Sequence, residues 1–206
     1  MHHLQQEGYI KYTIHWKEKP IPVSADMSQL LYYRNALQKL HFIGAYPDGI
    51  GFGNISCKAE KNNSFFISGS QTGHVRVADR THLCLVTKAD IGTNTIHCEG
   101  PVKASSESLT HAAFYQADKN IRAVVHVHNL LLWENLMGIV PTTEMHIDYG
   151  TPAMANEVIR LVTQQALFPK GIIVTAGHKE GIFTFGNSFQ EAYNILMYHF
   201  DQIKTG

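Results

Sequence analysis

The stretch AVVHVHN at residues 123–129 limits the fold of this chain more than any other, because its β-branched residues favour a buried strand that nevertheless contains two titratable rings. Side chains alternate between the two faces of a strand. His126 and His128 are therefore predicted to share one face, while Val125 and Val127 occupy the other. A fold that contains this strand therefore places both histidines on one side of its sheet.

Two interpretations of the histidine pair remain open from the strand alone. Two imidazoles side by side on one face of a stiff strand make half of a metal site, because nitrogen is a preferred ligand of zinc. Alternatively, one histidine is a hydrogen-bonded core residue and the other lies at the surface. A third ligand and a carboxylate elsewhere in the chain would favour the metal site.

Strand-like and helix-like patterns alternate along the 206 residues and indicate an α/β fold with helices packed on a central sheet. We expect one domain over residues 1–206, of which residues 1–24 form an N-terminal extension that contains a strand. Strands are predicted at residues 9–16, 49–57, 64–70, 82–90, 93–100, 123–129, 170–178 and 181–186, and helices at 25–43, 105–118, 130–140, 151–167 and 188–204.

Composition excludes several classes of partner. The formal net charge is zero, which argues against nucleic acid or an anionic membrane. No apolar run approaches the ~20 residues of a transmembrane helix, and the N-terminus has no apolar signal core. The three cysteines, Cys57, Cys84 and Cys98, form no C-x-x-C pair and are interpreted as reduced thiols. We therefore expect a cytoplasmic protein.

Outside the histidine strand, three features could carry chemistry. His178 follows the apolar strand GIIVTAG, and ligands are often found at strand ends. Glu107 falls in the first turn of a predicted helix, where backbone N–H groups and the helix dipole favour negative charge or an anion. The loops GFGNIS and SGSQTGH contain glycine and polar residues, and the open N–H groups of such loops can cradle a phosphate.

Each feature also has a purely structural interpretation. His178 could be an ordinary loop residue, Glu107 a stabilising charge at a helix start, and the glycine loops simple turns. His111 lies one helical turn after Glu107 and is expected to hydrogen-bond it rather than to bind a metal.

The order of these features resembles the class II aldolase/adducin family. The run SSESLTHAAFYQADKNIRAVVHVHN at residues 105–129 is similar to the family's serine pair and acidic residue at a helix start, followed by an H-x-H strand. The resemblance covers roughly residues 27–198. Its other elements are GNIS (53–56) for a G-N-x-S turn, QTG (71–73) for a T-G element, DYGTP (148–152) before a later helix, and GHKEGIFTFGNSFQEA (177–192) for the third-histidine region.

The resemblance implies a three-layer α/β/α sandwich with a central mixed, mostly antiparallel sheet. It also implies a divalent metal, usually zinc, held by His126, His128 and His178. The positions that match the family's phosphate-binding residues are Gly53, Asn54, Thr72, Gly73, Ser105 and Ser106.

By the same resemblance, the chain is expected to act in carbohydrate metabolism as a zinc-dependent lyase or isomerase, most simply an aldehyde-lyase. Its substrate would be a small phosphorylated sugar or related hydroxycarbonyl compound. Glu107 would move a proton beside the carbonyl to give an enediolate, leading to aldol cleavage, epimerisation or dehydration. Family members form tetramers, so a homotetramer is expected. The alternative is a non-catalytic interaction domain like the adducin head.

Two segments depart from the family pattern. Lys179 and Glu180 stand between His178 and Gly181, where the family usually has glycine directly after the histidine. The sugar-phosphate aldolases also have a long loop with a catalytic tyrosine, whereas VPTTEMHIDYGTP crosses that gap in a few residues. Tyr149 or His146 could take the tyrosine's place only if they reach the site.

Overall fold

The computed structural model describes residues 8–59, 64–164, 167 and 171–205. The ends of the predicted strand at 170–178 and helix at 151–167 fall partly outside these residues. The helices are α1 (Asp26–Lys39), α2 (Ser108–Ala117), α3 (Leu130–Leu136), α4 (Pro152–Gln164) and α5 (Phe189–Thr205). The strands are β1 (Thr13–Glu18), β2 (Gly44–Ala45), β3 (Gly51–Phe52), β4 (Asn54–Lys58), β5 (Phe65–Ser68), β6 (Leu83–Asp90), β7 (Thr95–Gly100), β8 (Ala123–His128), β9 (Ile172–Val174) and β10 (Gly181–Gly186).

Eight strands form one mixed sheet in the order β1-β7-β6-β5-β4-β8-β10-β9. The pair β1–β7 is parallel, and the other pairs in this sheet are antiparallel. β2 and β3 form a separate two-stranded ribbon. The expectation of a mixed, mostly antiparallel sheet is confirmed.

Helices cover both faces of the sheet, which gives the expected three layers. One core contains Leu109 and Phe114 of α2 with Met154 and Val158 of α4. The other lies beneath α1, α3 and α5 and includes Leu30. Since both faces are covered, the central strands β4, β5, β8 and β10 are almost entirely buried.

Several elements are shorter than their sequence patterns predict. The helix predicted at 25–43 ends at Lys39, and the one predicted at 130–140 ends at Leu136. The strand predicted at 9–16 forms only from Thr13, because its pairing with β7 begins there. Within the described residues, no helix is both long enough and apolar enough to cross a membrane.

Candidate metal centre

Strand β8 places two histidines on one face of the sheet, as its alternating pattern predicts. Val125 and Val127 pack into the core under α1 and α5, while His126 and His128 point to the α2 side. The Nε2 atoms of the two histidines lie 3.2 Å apart. Asn129 then ends the strand, because its side chain accepts a hydrogen bond from Leu132 N (2.9 Å) and caps α3.

His178 reaches the same point from the turn between β9 and β10. Thr175 closes this turn, since its hydroxyl donates to Gly181 O (2.8 Å) and its own carbonyl accepts from His178 N (3.2 Å). The ring of His178 lies 5.3 Å from that of His126 and 4.7 Å from that of His128, between ring centroids. One nitrogen from each histidine lies within 4.8 Å of the others. We call these three residues the histidine cluster.

The cluster has the chemistry of a metal-binding set. The Nδ1 atom of His126 contacts Ile182 O (3.1 Å), and since a carbonyl only accepts, that nitrogen carries the proton and Nε2 offers a lone pair. Burial, followed by repulsion from His128 and His178, holds the pKa of His126 well below its usual value, so its ring is neutral. Bonds of ~2.0–2.1 Å at tetrahedral angles place two ligand nitrogens about 3.3 Å apart, close to the observed separation. The cluster therefore fits a divalent ion such as zinc.

Glu107 places a buried carboxylate against the histidine cluster. It is the residue immediately before α2, rather than part of the first helical turn, and its exposed fraction is 2%. Its Oε1 atom lies 3.4 Å from His178 Nδ1 and 3.9 Å from His126 Nε2. Its Oε2 atom accepts a hydrogen bond from the hydroxyl of Thr110 (2.8 Å). One oxygen is thus held by the helix while the other faces the imidazoles.

A small hollow beside the cluster brings together the six residues matched to phosphate binding, and we call it the polar recess. Asn54 pairs with His126 across β4 and β8, so the recess adjoins the cluster directly. Among the described residues, the buried Oδ1 atom of Asn54 has no hydrogen-bond partner. The recess is lined by Gly8, Gly51, Gly53, Asn54, Gly69, Ser70, Gln71, Thr72, Gly73, Ser105 and Ser106.

Two glycines of the recess are required by close backbone contacts. Gly53 has φ +72°, and a Cβ there would lie 3.0 Å from Phe42 O and 3.1 Å from His126 O. A Cβ on Gly73 would lie 1.9 Å from Gly44 O. Larger residues would push these loops apart, because backbone atoms cannot yield as a flexible side chain does.

Arg34 lies at the far side of the recess, and the pattern of its helix does not predict a buried charge there. The side chain is fully buried, and its guanidinium donates to Thr72 O (2.6 Å), Gly73 O (3.3 Å) and Val75 O. Burial lowers its pKa to about 10, so it remains charged at neutral pH. Because C=O and N–H point in opposite directions across a trans peptide, the N–H of the residue after Gly73 points away from Arg34.

The structure gives different positions to Tyr149 and His146, which were candidates to replace the catalytic tyrosine, and identifies the partners of His111. Tyr149 is fully buried and stacks on His178, with ring centroids 4.7 Å apart, so it reaches the cluster. His146 is exposed and lies near Glu157, whose pKa is lowered mainly by Arg160 and to a smaller extent by His146. His111 does hydrogen-bond Glu107, but through its backbone N–H (3.0 Å to Glu107 O), while its ring bonds Ser56 Oγ (2.6 Å), because β4 presents that hydroxyl to α2.

Two further residues at the cluster were missed. Tyr46, in the turn between β2 and β3, places its hydroxyl 2.9 Å from His128 Nδ1. Glu180 reaches the same hydroxyl from the turn after His178, at 3.0 Å. Both residues come from segments without a helical or strand pattern, so only the tertiary structure reveals the contact.

The sheet, its two helical layers and the histidine cluster define a class of α/β proteins with a buried set of histidines able to hold a metal ion. A model of the family described as Class II Aldolase and Adducin N-terminal domain matches residues 47–203. The chain belongs to this family, and the resemblance drawn from its motifs is confirmed.

Solved structures with the same fold include L-fuculose 1-phosphate aldolase, at 20% identity over 88% of this chain and 84% of that chain, with a TM-score of 0.62. A sugar-phosphate aldolase from Thermotoga maritima matches at 16% identity over 87% and 92%, with a TM-score of 0.66. L-fuculose-1-phosphate aldolase from Thermus thermophilus matches at 19% identity over 87% and 91%, with a TM-score of 0.62. A search of curated proteins finds no significant match.

Proposed function

We propose that this chain is a metal-dependent lyase or isomerase that acts on a small phosphorylated sugar or a related hydroxycarbonyl compound. The observation that carries the proposal is the position of Glu107, which faces His178 and His126 and directly follows the serine pair of the polar recess. A candidate metal-binding set, a candidate base and a candidate phosphate site therefore adjoin one another.

The three histidines would hold the ion and leave a coordination position for substrate. A bound zinc or other divalent ion would polarise the substrate carbonyl. Glu107 would remove a proton from the adjacent carbon, and the substrate would become an enediolate. Thr110 would keep the carboxylate in place throughout, because it bonds the oxygen that faces away from the imidazoles.

The polar recess would bind the phosphate group. Asn54, Thr72 and the serine pair bring neutral polar groups into it, so these side chains do not repel an anion. Helix α2 begins at Ser108, and the helix dipole favours an anion near this N-terminus. Arg34 adds a buried positive charge behind the loop.

A non-catalytic interaction domain like the adducin head is the alternative. Burying a carboxylate beside three imidazoles costs desolvation energy that a surface used only for docking does not require. The solved relatives named above are sugar-phosphate aldolases, which supports this substrate class. Both arguments favour catalysis.

Proton exchange should be the more general activity of the site, and aldol cleavage the more demanding one. Cleavage also requires a group that manages the proton on the departing aldehyde oxygen. Tyr149 is the candidate, because it stacks on His178 and its hydroxyl accepts a hydrogen bond from Tyr9 N (3.2 Å). Replacing Tyr149 with Phe should therefore lower cleavage more than exchange.

Hydrogen exchange tests this proposal without knowledge of the natural substrate. Zinc-loaded protein is incubated in deuterium oxide with dihydroxyacetone phosphate, and deuterium at the carbon beside the carbonyl is followed by NMR. Exchange above the metal-only control is expected, together with cleavage or epimerisation of some member of a sugar-phosphate panel. Absence of exchange and turnover for every compound would favour the non-catalytic alternative.

The proposal extends to assembly and location. An open apolar groove of about 960 Å³ beside β9 is lined in part by Ile139, Val140, Ile195 and Tyr198, and such a surface favours subunit contact. We expect a homotetramer, and sedimentation that finds only a 23.1 kDa species at micromolar concentration would contradict it. The cysteines Cys57, Cys84 and Cys98 form no disulfide, which supports a cytoplasmic location.

A further inference from the structure

We propose that Tyr46 and Glu180 form a relay that fixes the tautomer of His128 and so prepares it to bind metal. The inference rests on the proposed metal centre. The Tyr46 hydroxyl lies between the two partners, 2.9 Å from His128 Nδ1 and 3.0 Å from Glu180 Oε2. Neither Tyr46 nor Glu180 belongs to the histidine cluster itself.

The direction of the hydrogen bonds follows from the proton inventory. An ionised carboxylate only accepts, so the single hydroxyl proton of Tyr46 goes to Glu180. The Tyr46 oxygen then accepts from His128, and Nδ1 of that ring carries the proton. The lone pair of His128 is therefore on Nε2, the atom that faces His126.

The proton positions on the two rings explain the short contact between His126 Nε2 and His128 Nε2. His126 also presents a lone pair on Nε2, because its Nδ1 atom donates to Ile182 O. Two nitrogen lone pairs 3.2 Å apart repel each other unless a cation lies beside them. The relay thus maintains an arrangement that a metal ion stabilises and that protonation of His128 Nε2 would abolish.

The backbone holds both relay residues in place. Glu180 O accepts from Asn129 N (3.0 Å), directly after His128, and Glu180 adopts φ +69°, a conformation that favours glycine. Tyr46 N donates to Ile50 O (2.9 Å), and its ring lies 4.6 Å from that of Phe52 between centroids. Glycine would relieve this backbone strain but would remove the carboxylate that bonds Tyr46.

The test compares zinc and cobalt dissociation constants by chelator competition. The proteins are the wild type, Tyr46→Phe, Glu180→Gln and the double variant. Tyr46→Phe removes the hydroxyl and is expected to raise the dissociation constant about tenfold, in the lower range for partners of metal ligands. Glu180→Gln should weaken binding more, toward a hundredfold. The amide can donate to Tyr46, whose proton then turns to His128 Nδ1 and moves the ring proton to Nε2. In the double variant, the constant should return to the Tyr46→Phe value, because glutamine acts only through the hydroxyl.

Two controls separate a relay from a structural contact. Tyr33→Phe removes a hydroxyl that bonds Gln190 instead and should leave metal affinity unchanged. Glu180→Gly should raise the melting temperature of the metal-free protein, since glycine suits φ +69°, and yet should weaken metal binding. A contact that only stabilises the turn would make stability and affinity fall together.

The outcomes are distinct. Unchanged affinity in both Tyr46→Phe and Glu180→Gln, with normal binding by the wild type, overturns the relay and leaves the proposed function standing. Additive losses in the double variant also overturn it. A wild-type protein that binds neither ion overturns the metal centre and the relay together.

Discussion

Glu107 Oε1 lies 3.4 Å from His178 Nδ1, although the first residue precedes α2 and the second follows β9. The carboxylate lies beside the cluster, although it is not part of the group of three histidines whose ligand atoms lie within 4.8 Å of one another. These distances allow Glu107 to reach either a bound ion or its substrate, and we propose that it acts as the base.

Glu107→Gln should therefore abolish deuterium exchange while the protein keeps its metal. Glutamine has a similar shape but cannot accept the proton, and a loss of at least roughly a hundredfold is expected for a positioned base. NMR of the substrate and elemental analysis of the variant give the two readouts. Full exchange would show that Glu107 is only a charge at a helix start, whereas loss of metal would show that it is a ligand.

Ser106→Asp should weaken phosphate binding at the polar recess. The new carboxylate would meet the phosphate at close range among buried groups, where like charges repel strongly. Ser28→Asp introduces the same charge at an exposed position in α1 and serves as the control. Titration calorimetry with inorganic phosphate should show loss in the first variant alone, and equal affinities would rule out the recess as the anion site.

Replacing Arg34 should weaken phosphate binding at the polar recess, because Arg34 bonds the backbone of the loop that lines it. Arg34→Lys keeps the charge but loses the forked donors, and Arg34→Met loses both. Phosphate affinity should therefore be lower in Arg34→Lys than in the wild type, and lowest in Arg34→Met. Arg34→Met should also lower the free energy of unfolding by about 1–3 kcal/mol for each buried carbonyl left without a donor. Phosphate affinity that is unchanged in a folded Arg34→Met protein would contradict this role.

His111 should make the metal-free protein sensitive to acid. Burial lowers its pKa to about 3, whereas an unfolded histidine titrates near 6.5. Between these values the unfolded chain binds a proton that the native ring does not, so stability is lost as pH falls below about 6.5. From about pH 6.5 to about pH 5 the loss from this residue is roughly 1.5–2 kcal/mol.

Urea denaturation of the wild type and His111→Gln at both pH values measures this effect. The variant is expected to be less stable at neutral pH, because Ser56 loses its imidazole partner. However, its stability should change less between the two pH values. An identical pH dependence in both proteins would show that His111 is already protonated or is exposed in the native state.

The histidine strand was predictable because its information is local. Period-two alternation fixes the faces of His126 and His128, and an apolar strand directly before His178 places that residue at a strand end. Helix and strand patterns likewise identified the main elements. The family resemblance supplied the layer order and the sheet type, which local patterns alone do not determine.

Contacts between distant segments could not be predicted. Arg34 lies on a helix whose pattern gives no reason for a buried charge, and its partners are backbone carbonyls, which have no sequence signature. Tyr46 and Glu180 meet His128 only because two turns converge at the end of β8. The Ser56 partner of the His111 ring was missed for the same reason, since Ser56 comes from a neighbouring strand.

The metal content of untagged protein tests the central claim most directly. We predict one divalent ion per chain by elemental analysis, or uptake of one zinc ion per chain after chelation and dialysis. His126→Ala and His178→Ala should each reduce this content strongly while circular dichroism remains that of a folded protein. A wild-type protein that contains no metal and takes up none on addition of zinc would contradict the account.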